Sequence, residues 1–397
     1  MKRFALLTLM IPVFIFPFIP TLWNESPVMI FDSPSLFEFG VRALVDQNLF
    51  TLEDASRIIG GEEIVIDRSR LEMLDLGLVL NPKAAISDRI WLGTHSFKLG
   101  IGALMDVGVN FFVPKGIMRV ILGDVDFDED IEEEFQIASG GIFSKVGGLI
   151  GFKVFGFDIA VSAGAYLPLL WFTEDSKALF YYHSDSDMAT VRTGISGDVK
   201  VLSAVSSFEN VDEVLSDIQN DLGYYVDLGI MKSFGKLKIF GGFNNVTIEP
   251  AYVKYFGYAS VSFQATYSNL QIDTSEPQIQ LPENLEELPE PTSVELPIEY
   301  VGGLSYDLGW LEIGGFIKSL PSISLMTYGG YLSLFKILWL DAASKGSTWF
   351  KDVGVNLDLK LMRITLSLGV IDYGGLLNFD LSKMTGLNAY IGISMGW

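Results

Sequence analysis

Leu387-Asn388-Ala389-Tyr390-Ile391-Gly392-Ile393-Ser394-Met395-Gly396-Trp397 alternates without a break and ends on an aromatic. Leu387, Ala389, Ile391, Ile393, Met395 and Trp397 share one face of an extended strand, and Asn388, Tyr390, Gly392, Ser394 and Gly396 the other. Strict period-two alternation sets one face against an apolar medium and the other against a polar one. The pattern recurs after residue 70. In 97–111 the apolar face is Phe97, Leu99, Ile101, Ala103, Met105, Val107, Val109 and Phe111, opposite Lys98, Gly100, Gly102, Asp106, Gly108 and Asn110. Residues 191–201 and 353–361 repeat it, with Arg192, Asp198 and Lys200, then Asn356, Asp358 and Lys360, on their polar faces.

Alternation alone does not separate a soluble sandwich, apolar face inward, from a barrel in lipid, apolar face outward. Length helps: a membrane-crossing strand needs about 9–11 residues, whereas ordinary strands average about 5–6. Most segments here run at the longer value. They are 71–80, 97–111, 145–154, 156–169, 189–203, 222–233, 236–247, 255–270, 298–308, 311–319, 326–340, 351–361, 363–373 and 386–397. The expectation is an all-β, transmembrane antiparallel β-barrel of about 14 strands. Its short turns, such as Phe155-Gly156 and Phe234-Gly235-Lys236, follow the third, sixth, ninth and twelfth segments and so alternate between rims. That is not the usual arrangement of an outer-membrane barrel, so the count is bracketed at 12–16.

Composition agrees. The chain is 49% hydrophobic with 40 glycines and a mean hydropathy of +0.35. Beyond residue 25, however, no apolar run reaches the roughly 18 residues of a helical span. Uncharged stretches such as 256–272 and 319–335 are broken by Ser, Thr, Gln, Asn or Gly. Met1-Lys2-Arg3 followed by apolar residues 4–23 reads as a signal peptide over 1–23. An uncleaved anchor helix is the other reading of that run, and Pro12, Pro17 and Pro20 disfavour it. With no cysteine, neither a lipid-anchored cysteine nor a disulfide scaffold is available. A net charge of −22 excludes nucleic acid as a partner, because its phosphates would be repelled.

Residues 24–70 are expected to form an N-terminal plug or rim segment ahead of a barrel over 71–397. Within it, 46–60 reads as a short amphipathic helix capped at Thr51 with Asp54 three residues on, and 210–222 as a second. Acidic loops are expected at 124–134 and at 273–297; the latter, rich in Pro and Glu and without apolar period, should be mobile.

No catalytic constellation stands out. His95 and His183 are the only histidines, and both read as loop residues rather than as the base of a triad. Asp124-Val125-Asp126-Phe127-Asp128 suggests calcium, but an EF-hand needs Gly at its sixth position and Glu at its twelfth. Those positions hold Glu129 and Phe135. Neither a phosphate-binding loop nor zinc spacing is present. The chain is therefore expected to be no enzyme and to carry no cofactor or metal.

A more informative recurrence is Asp75-Leu76-Gly77, Asp227-Leu228-Gly229 and Asp307-Leu308-Gly309. An aspartate facing lipid at mid-membrane is costly, so each should face the lumen. With Lys98, Asp106, Arg192 and Lys360, the residues Asp75, Asp227 and Asp307 make up the lumenal polar candidates. Their expected role is internal charge balance.

Residues 223–229, followed by Leu237-Lys238-Ile239-Phe240-Gly241-Gly242-Phe243-Asn244-Asn245-Val246, resemble a hairpin of the FadL-type superfamily of bacterial outer-membrane barrels. The terminal strand 387–397 likewise resembles the insertion signal of such barrels. The resemblance covers under half the chain. It implies a fourteen-stranded barrel with an N-terminal plug, in the bacterial outer membrane, taking up hydrophobic compounds. The expected partners are outer-membrane lipid, the barrel-assembly machinery during insertion and a small hydrophobic ligand; passage of such a ligand predicts an apolar pocket beneath the plug, lined by inward aromatics such as Tyr166, Tyr225 or Tyr390. The alternative is an anchoring or partner-binding barrel without transport, acting through its acidic loops.

Overall fold

The computed structural model describes residues 31, 37–47, 51–60, 78–93, 96–113, 115–121, 125, 129–173, 175–185, 190–206, 221–268, 271–274, 278–280, 285–320, 325–345, 348–359, 362–372 and 380–395. Among them a single sheet has 21 strands. The helices are α1 (Leu52–Gly60) and α2 (Lys115–Ile121), with a 3-10 turn at Leu381–Lys383.

Fourteen of the strands pair in succession. The first seven are β1 (Phe37–Gln47), β2 (Leu78–Gly93), β3 (Phe97–Val113), β5 (Ala138–Val154), β6 (Phe157–Phe172), β9 (Gly223–Phe234) and β10 (Leu237–Glu249). The rest are β15 (Glu299–Asp307), β16 (Leu311–Leu320), β17 (Leu325–Leu334), β18 (Leu338–Lys345), β19 (Thr348–Leu359), β20 (Met362–Asp372) and β21 (Met384–Met395). Each is antiparallel to the next. The last pairs back onto the first, Ile391 opposite Val41, so the pairings form a ring.

The remaining strands make a side sheet. In it β4 (Ile131–Gln136), β7 (Lys177–Asp185), β8 (Thr190–Ser203) and β11 (Ala251–Ser268) pair in that order. Against β11 lie β12 (Gln271–Thr274), β13 (Gln278–Gln280) and β14 (Glu286–Val294). The side sheet joins the ring at the end of β6, where Trp171 and Phe172 pair with Leu202 and Val201. Buried Leu167, Leu202, Ala204, Val253 and Val294 fill that junction.

The expectation of about fourteen strands in all is thus too low, and several assignments change: β2 runs on to Gly93, past the expected 71–80, and the expected acidic loop 124–134 runs into β4 at Ile131. Segments 189–203 and 255–270 are strands of the side sheet; alternation marks any half-buried strand and does not say which sheet holds it. Segment 326–340 is two strands around a tight turn, with Phe335 and Lys336 at φ 54° and 58°. Such turns usually carry Asn-Gly, so Phe-Lys hid this one. Residues 37–47, expected in the plug, form β1 between β2 and β21. The 273–297 loop contains β13 and β14. Strand β14 is exposed along nearly its whole length, which leaves no apolar period to read, and its Pro289 and Pro291 suit an edge.

These changes gather most short turns at one rim, with the two-residue β18–β19 link and the four-residue β16–β17 link at the other. The links β2–β3, β5–β6, β9–β10, β15–β16, β17–β18 and β19–β20 have two or three residues each and share one rim. Every link of more than twenty residues lies at the opposite rim. Helix α1 sits at that long-loop rim, against the 3-10 turn and β21. Its cap is the expected one: Thr51 N donates to Asp54 Oδ2 at 2.9 Å, and Asp54 N to Thr51 Oγ1 at 3.2 Å. The signal segment 1–23 and most of 210–222 lie outside the described residues.

Burial decides the sense of the alternation. In β21, Leu387, Ile391 and Met395 are 44–47% exposed, whereas Asn388, Tyr390 and Ser394 are 5–6% exposed. The apolar face looks out of the ring and the polar face in, the reverse of a soluble sandwich. Leu99, Ile101, Leu304, Ile313, Leu366 and Leu368 extend the outward apolar band. Tyr224, Tyr300 and Tyr328 edge it toward one rim, and Phe157, Phe234, Trp310 and Phe335 edge it at the other. Tyr224 and Phe234 are ten residues apart on β9. At about 3.3 Å per residue and a tilt of about 40°, that is a height of about 25 Å, the hydrocarbon band of a membrane barrel.

Candidate lumenal site

The phase of each ring strand determines what lines the interior. On β16 the outward Ile313 and Ile317 turn Glu312, Gly314, Phe316 and Lys318 inward; on β9 the outward Tyr224 and Ile230 turn Tyr225, Asp227, Gly229 and Met231 inward. Inside, an apolar patch runs across the wall: Ala160, Met231, Phe240, Val301, Phe316, Ala343 and Ile371, all under 9% exposed. Phe31, the one described residue ahead of β1, packs against this patch with Leu149 and Tyr331, and the Lys153 ammonium lies 5.8 Å from its ring centroid. Phe31 therefore lies on the inner face of the ring.

Glycines shape the wall around the aromatics. A Cβ on Gly314 would lie 1.8 Å from Tyr331, and one on Gly354 would lie 1.9 Å from Trp339. Both rings thus lie flat on bare backbone of the neighbouring strand, which keeps large side chains against the wall. Tyr390 lies likewise over Gly40 and Gly392.

Polar groups occupy the same face. Lys145 Nζ lies 2.5 Å from Asn245 Oδ1, 3.8 Å from Asp227 Oδ1 and 3.9 Å above the Tyr225 ring. Asp227 also accepts from the Asn245 amide at 2.6 Å. Elsewhere Lys318 pairs with Glu299 at 3.5 Å, and Asn388 Nδ2 donates to Asp352 at 2.8 Å. At low exposure such pairs hold shape: each ion is desolvated, and removing one partner strands the other.

The expected lumenal set divides. Asp227 faces inward and is paired as described. Lys98 lies on the inward phase of β3, between outward Phe97 and Leu99, and Asp106 is a β3 residue opposite Ala85 and Phe143. Arg192 is not lumenal: it is exposed on β8 of the side sheet, opposite His183 and Thr266. Asp307 is the last residue of β15, at the short-turn rim, accepting from Gly309 N at 2.6 Å and pairing with Lys336 at 3.2 Å. Its Asp-Leu-Gly matches that of 227–229 in sequence, but the strand stops at Asp307, so the aspartate caps instead of lining. Asp75, Lys360 and Trp397 lie outside the described residues.

Tyr166 serves a different purpose from a pocket wall. At 1% exposure, its hydroxyl donates to Val294 O at 2.7 Å and accepts from Ala251 N at 3.0 Å, tying β6 to β11 and β14. Lys145, Glu299, Lys318 and Asp352 were missed as lumenal residues. Phase would have found them, because each follows from the outward apolar residues beside it.

In the side sheet, His183 Nδ1 lies 2.5 Å from Asp130 Oδ1, both exposed. Glu129 pairs with Arg119 and Glu134 with Lys177. Among the described residues no three His, Asp or Glu side chains gather as a metal site, and no helix is long and apolar enough to cross a membrane.

No protein-family model matches the chain, and no curated protein does. Solved structures do. The P. putida toluene transporter TodX shares 11% identity, with 94% of this chain and 93% of that chain covered, at a TM-score of 0.43. The CymD monoaromatic hydrocarbon channel shares 10% identity over 94% and 91%, at 0.40. A Rh. blastica porin shares 10% over 91% and 99%, at 0.27. At TM-scores below 0.5 these likenesses carry no argument about the chain's fold or chemistry.

Proposed function

We propose that this chain is a bacterial outer-membrane β-barrel, not an enzyme, whose interior binds and passes small hydrophobic molecules. The observation that carries the reading is the apolar inner patch of Met231, Phe240, Val301, Phe316 and Ile371, with Phe31 packed on it. A water-filled porin lumen is polar, whereas an apolar solute needs apolar wall where water is excluded. Placement in the outer membrane is supported by the outward apolar band, the two aromatic edges and the gathering of every link of more than twenty residues at one rim, whose opposite rim in such barrels is the periplasmic one. Phe31 then acts as a stopper that must move for passage.

The test is a titration of the refolded protein with the apolar fluorophore 1-N-phenylnaphthylamine, for the wild type and for Phe316→Glu and Phe31→Ala. Saturable binding weakened at least about tenfold by Phe316→Glu is expected, the cost of setting a carboxylate in an apolar site. Phe31→Ala should speed fluorophore entry into vesicles. Binding indifferent to Phe316→Glu would sink the reading. A second reading, capture of a partner by the side sheet, is favoured by the exposed Glu286, Glu287 and Glu290 of β14. Deleting 285–294 should abolish capture and leave fluorophore binding intact.

A further inference from the structure

The short-turn rim exposes large aromatics at its very tips. Phe155 is 93% exposed, Phe335 67%, Phe234 57% and Trp310 55%. Trp310 and Phe335 lie 6.3 Å apart, and Phe335 N donates to Trp310 O at 2.7 Å, so adjoining turns brace each other. Turns that merely stood in water would carry small polar residues. Aromatics at this level belong to a membrane–water interface, where amphipathic and bulky rings sit among headgroups.

One cation on this rim faces the wrong way for charge balance inside the barrel. Lys232 follows the inward Met231 and therefore lies on the outward face of β9, two residues from the turn. It stands opposite Phe157 on β6 and Ile239 on β10. Its ammonium is 3.9 Å from the Phe157 ring centroid and 5.8 Å from that of Phe234, and it donates to Phe155 O at 3.3 Å. No carboxylate among the described residues is ion-paired with it. The neighbouring turn lysines differ: Lys336 is paired with Asp307, and Lys236 is an exposed turn residue.

An ammonium has three donors, and here a carbonyl takes one while two rings hold the stem against the wall. The other donors look outward, at the lower edge of the apolar band. In hydrocarbon that would be costly, but the cost falls to about nothing at the interface, where lipid phosphates are the anions at hand.

We infer that Lys232, flanked by Phe157 and Phe234, binds the phosphate of an anionic phospholipid in the leaflet at the short-turn rim. The inference rests on the membrane reading above. Phe157 and Phe234 supply the surface against which the first acyl carbons lie, and the Lys232 ammonium supplies the charge. Lys236 is close enough in sequence to be mistaken for the site but lies beyond the wall, in the turn.

The experiment uses the full chain reconstituted in phosphatidylcholine bilayers with about one-fifth phosphatidylglycerol, with retained lipids counted by native mass spectrometry. Wild type should retain phosphatidylglycerol over phosphatidylcholine by about fivefold, what one lysine–headgroup attraction supplies. Lys232→Gln should lose that preference, Lys232→Arg should keep it, and Lys236→Gln should leave it unchanged. Equal retention by wild type and Lys232→Gln would overturn the inference, as would loss with Lys236→Gln alone. Inorganic phosphate added to the detergent-solubilised protein distinguishes the sources: if it protects Lys232 from amine acylation without lipid, the site is a phosphate site and the lipid assignment falls. If the chain does not enter the bilayer, the membrane reading itself fails, an outcome distinct from insertion without lipid preference.

Discussion

Replacing Leu368 by Arg tests the sense of the alternation directly. Leu368 is 63% exposed on β20, six residues from the short-turn end of that strand and opposite Val353 and Ala389. At about 3.3 Å per residue and a tilt of about 40°, it stands about 15 Å above that end, close to the middle of a band about 25 Å tall. An arginine on the lipid face at that depth costs about 2–4 kcal/mol. Since about 1.4 kcal/mol is tenfold, that is a drop of about 30- to 900-fold in the folding constant. Ile337→Arg, at the short-turn rim and 50% exposed, should cost about 0–1 kcal/mol by the same depth dependence. The assay is reversible guanidinium unfolding of each variant in phospholipid vesicles, followed by tryptophan emission. A soluble all-β protein makes the opposite demand: an exposed Leu→Arg change lies within about 0.5 kcal/mol of neutral. Equal stabilities for Leu368→Arg and Ile337→Arg, both near wild type, would refute the outward-apolar assignment and the membrane reading with it.

Gly314→Val should displace the Tyr331 ring, which leaves no room for a Cβ, and break the Tyr331–Glu312 contact; a loss of about 1–3 kcal/mol is expected in the same unfolding assay. Lys351→Met should cost about 3–5 kcal/mol, since it strips Asp372, fully buried and 2.5 Å away, of its ammonium. The double change Lys351→Met with Asp372→Leu should recover most of that loss, and failure to recover would mean the pair is not the seat of the effect. Tyr166→Phe removes the hydroxyl between Val294 O and Ala251 N, leaving two buried backbone groups short of a partner, at about 1–3 kcal/mol. Because that tie holds the side sheet, hydrogen exchange should rise over 251–256 and 286–294 before it rises in β21.

Strand existence was legible because alternation is local: Leu387 to Met395 needs no partner to show which residues share a face. The cap of α1 was legible for the same reason, as Thr51 and Asp54 bond each other across three residues. Arg192 and Asp227 show where local reading stops. Each is a charged residue on the polar face of a long alternating segment, yet one is exposed in a side sheet and the other paired with Lys145 inside the ring. Strands β17 and β18 were fused for want of a Gly or Asn at Phe335-Lys336, and β14, exposed on both faces, left no period to find.

The sequence by itself therefore determined strand phase, spanning length and the lack of a helical-span-length apolar run beyond residue 25, because these follow from the placing of apolar and polar side chains along the chain. Only the tertiary structure decided which face looks outward, which strands close the ring and which leave it, and that every link of more than twenty residues lies at one rim. Pairing joins residues far apart in sequence, such as Val41 with Ile391, and polarity alone does not say whether the medium beyond an apolar face is a core or a bilayer. The terminal strand is the clearest case: its alternation was visible from the start, but its apolar face became an outer surface only when Asn388, Tyr390 and Ser394 were found buried behind it.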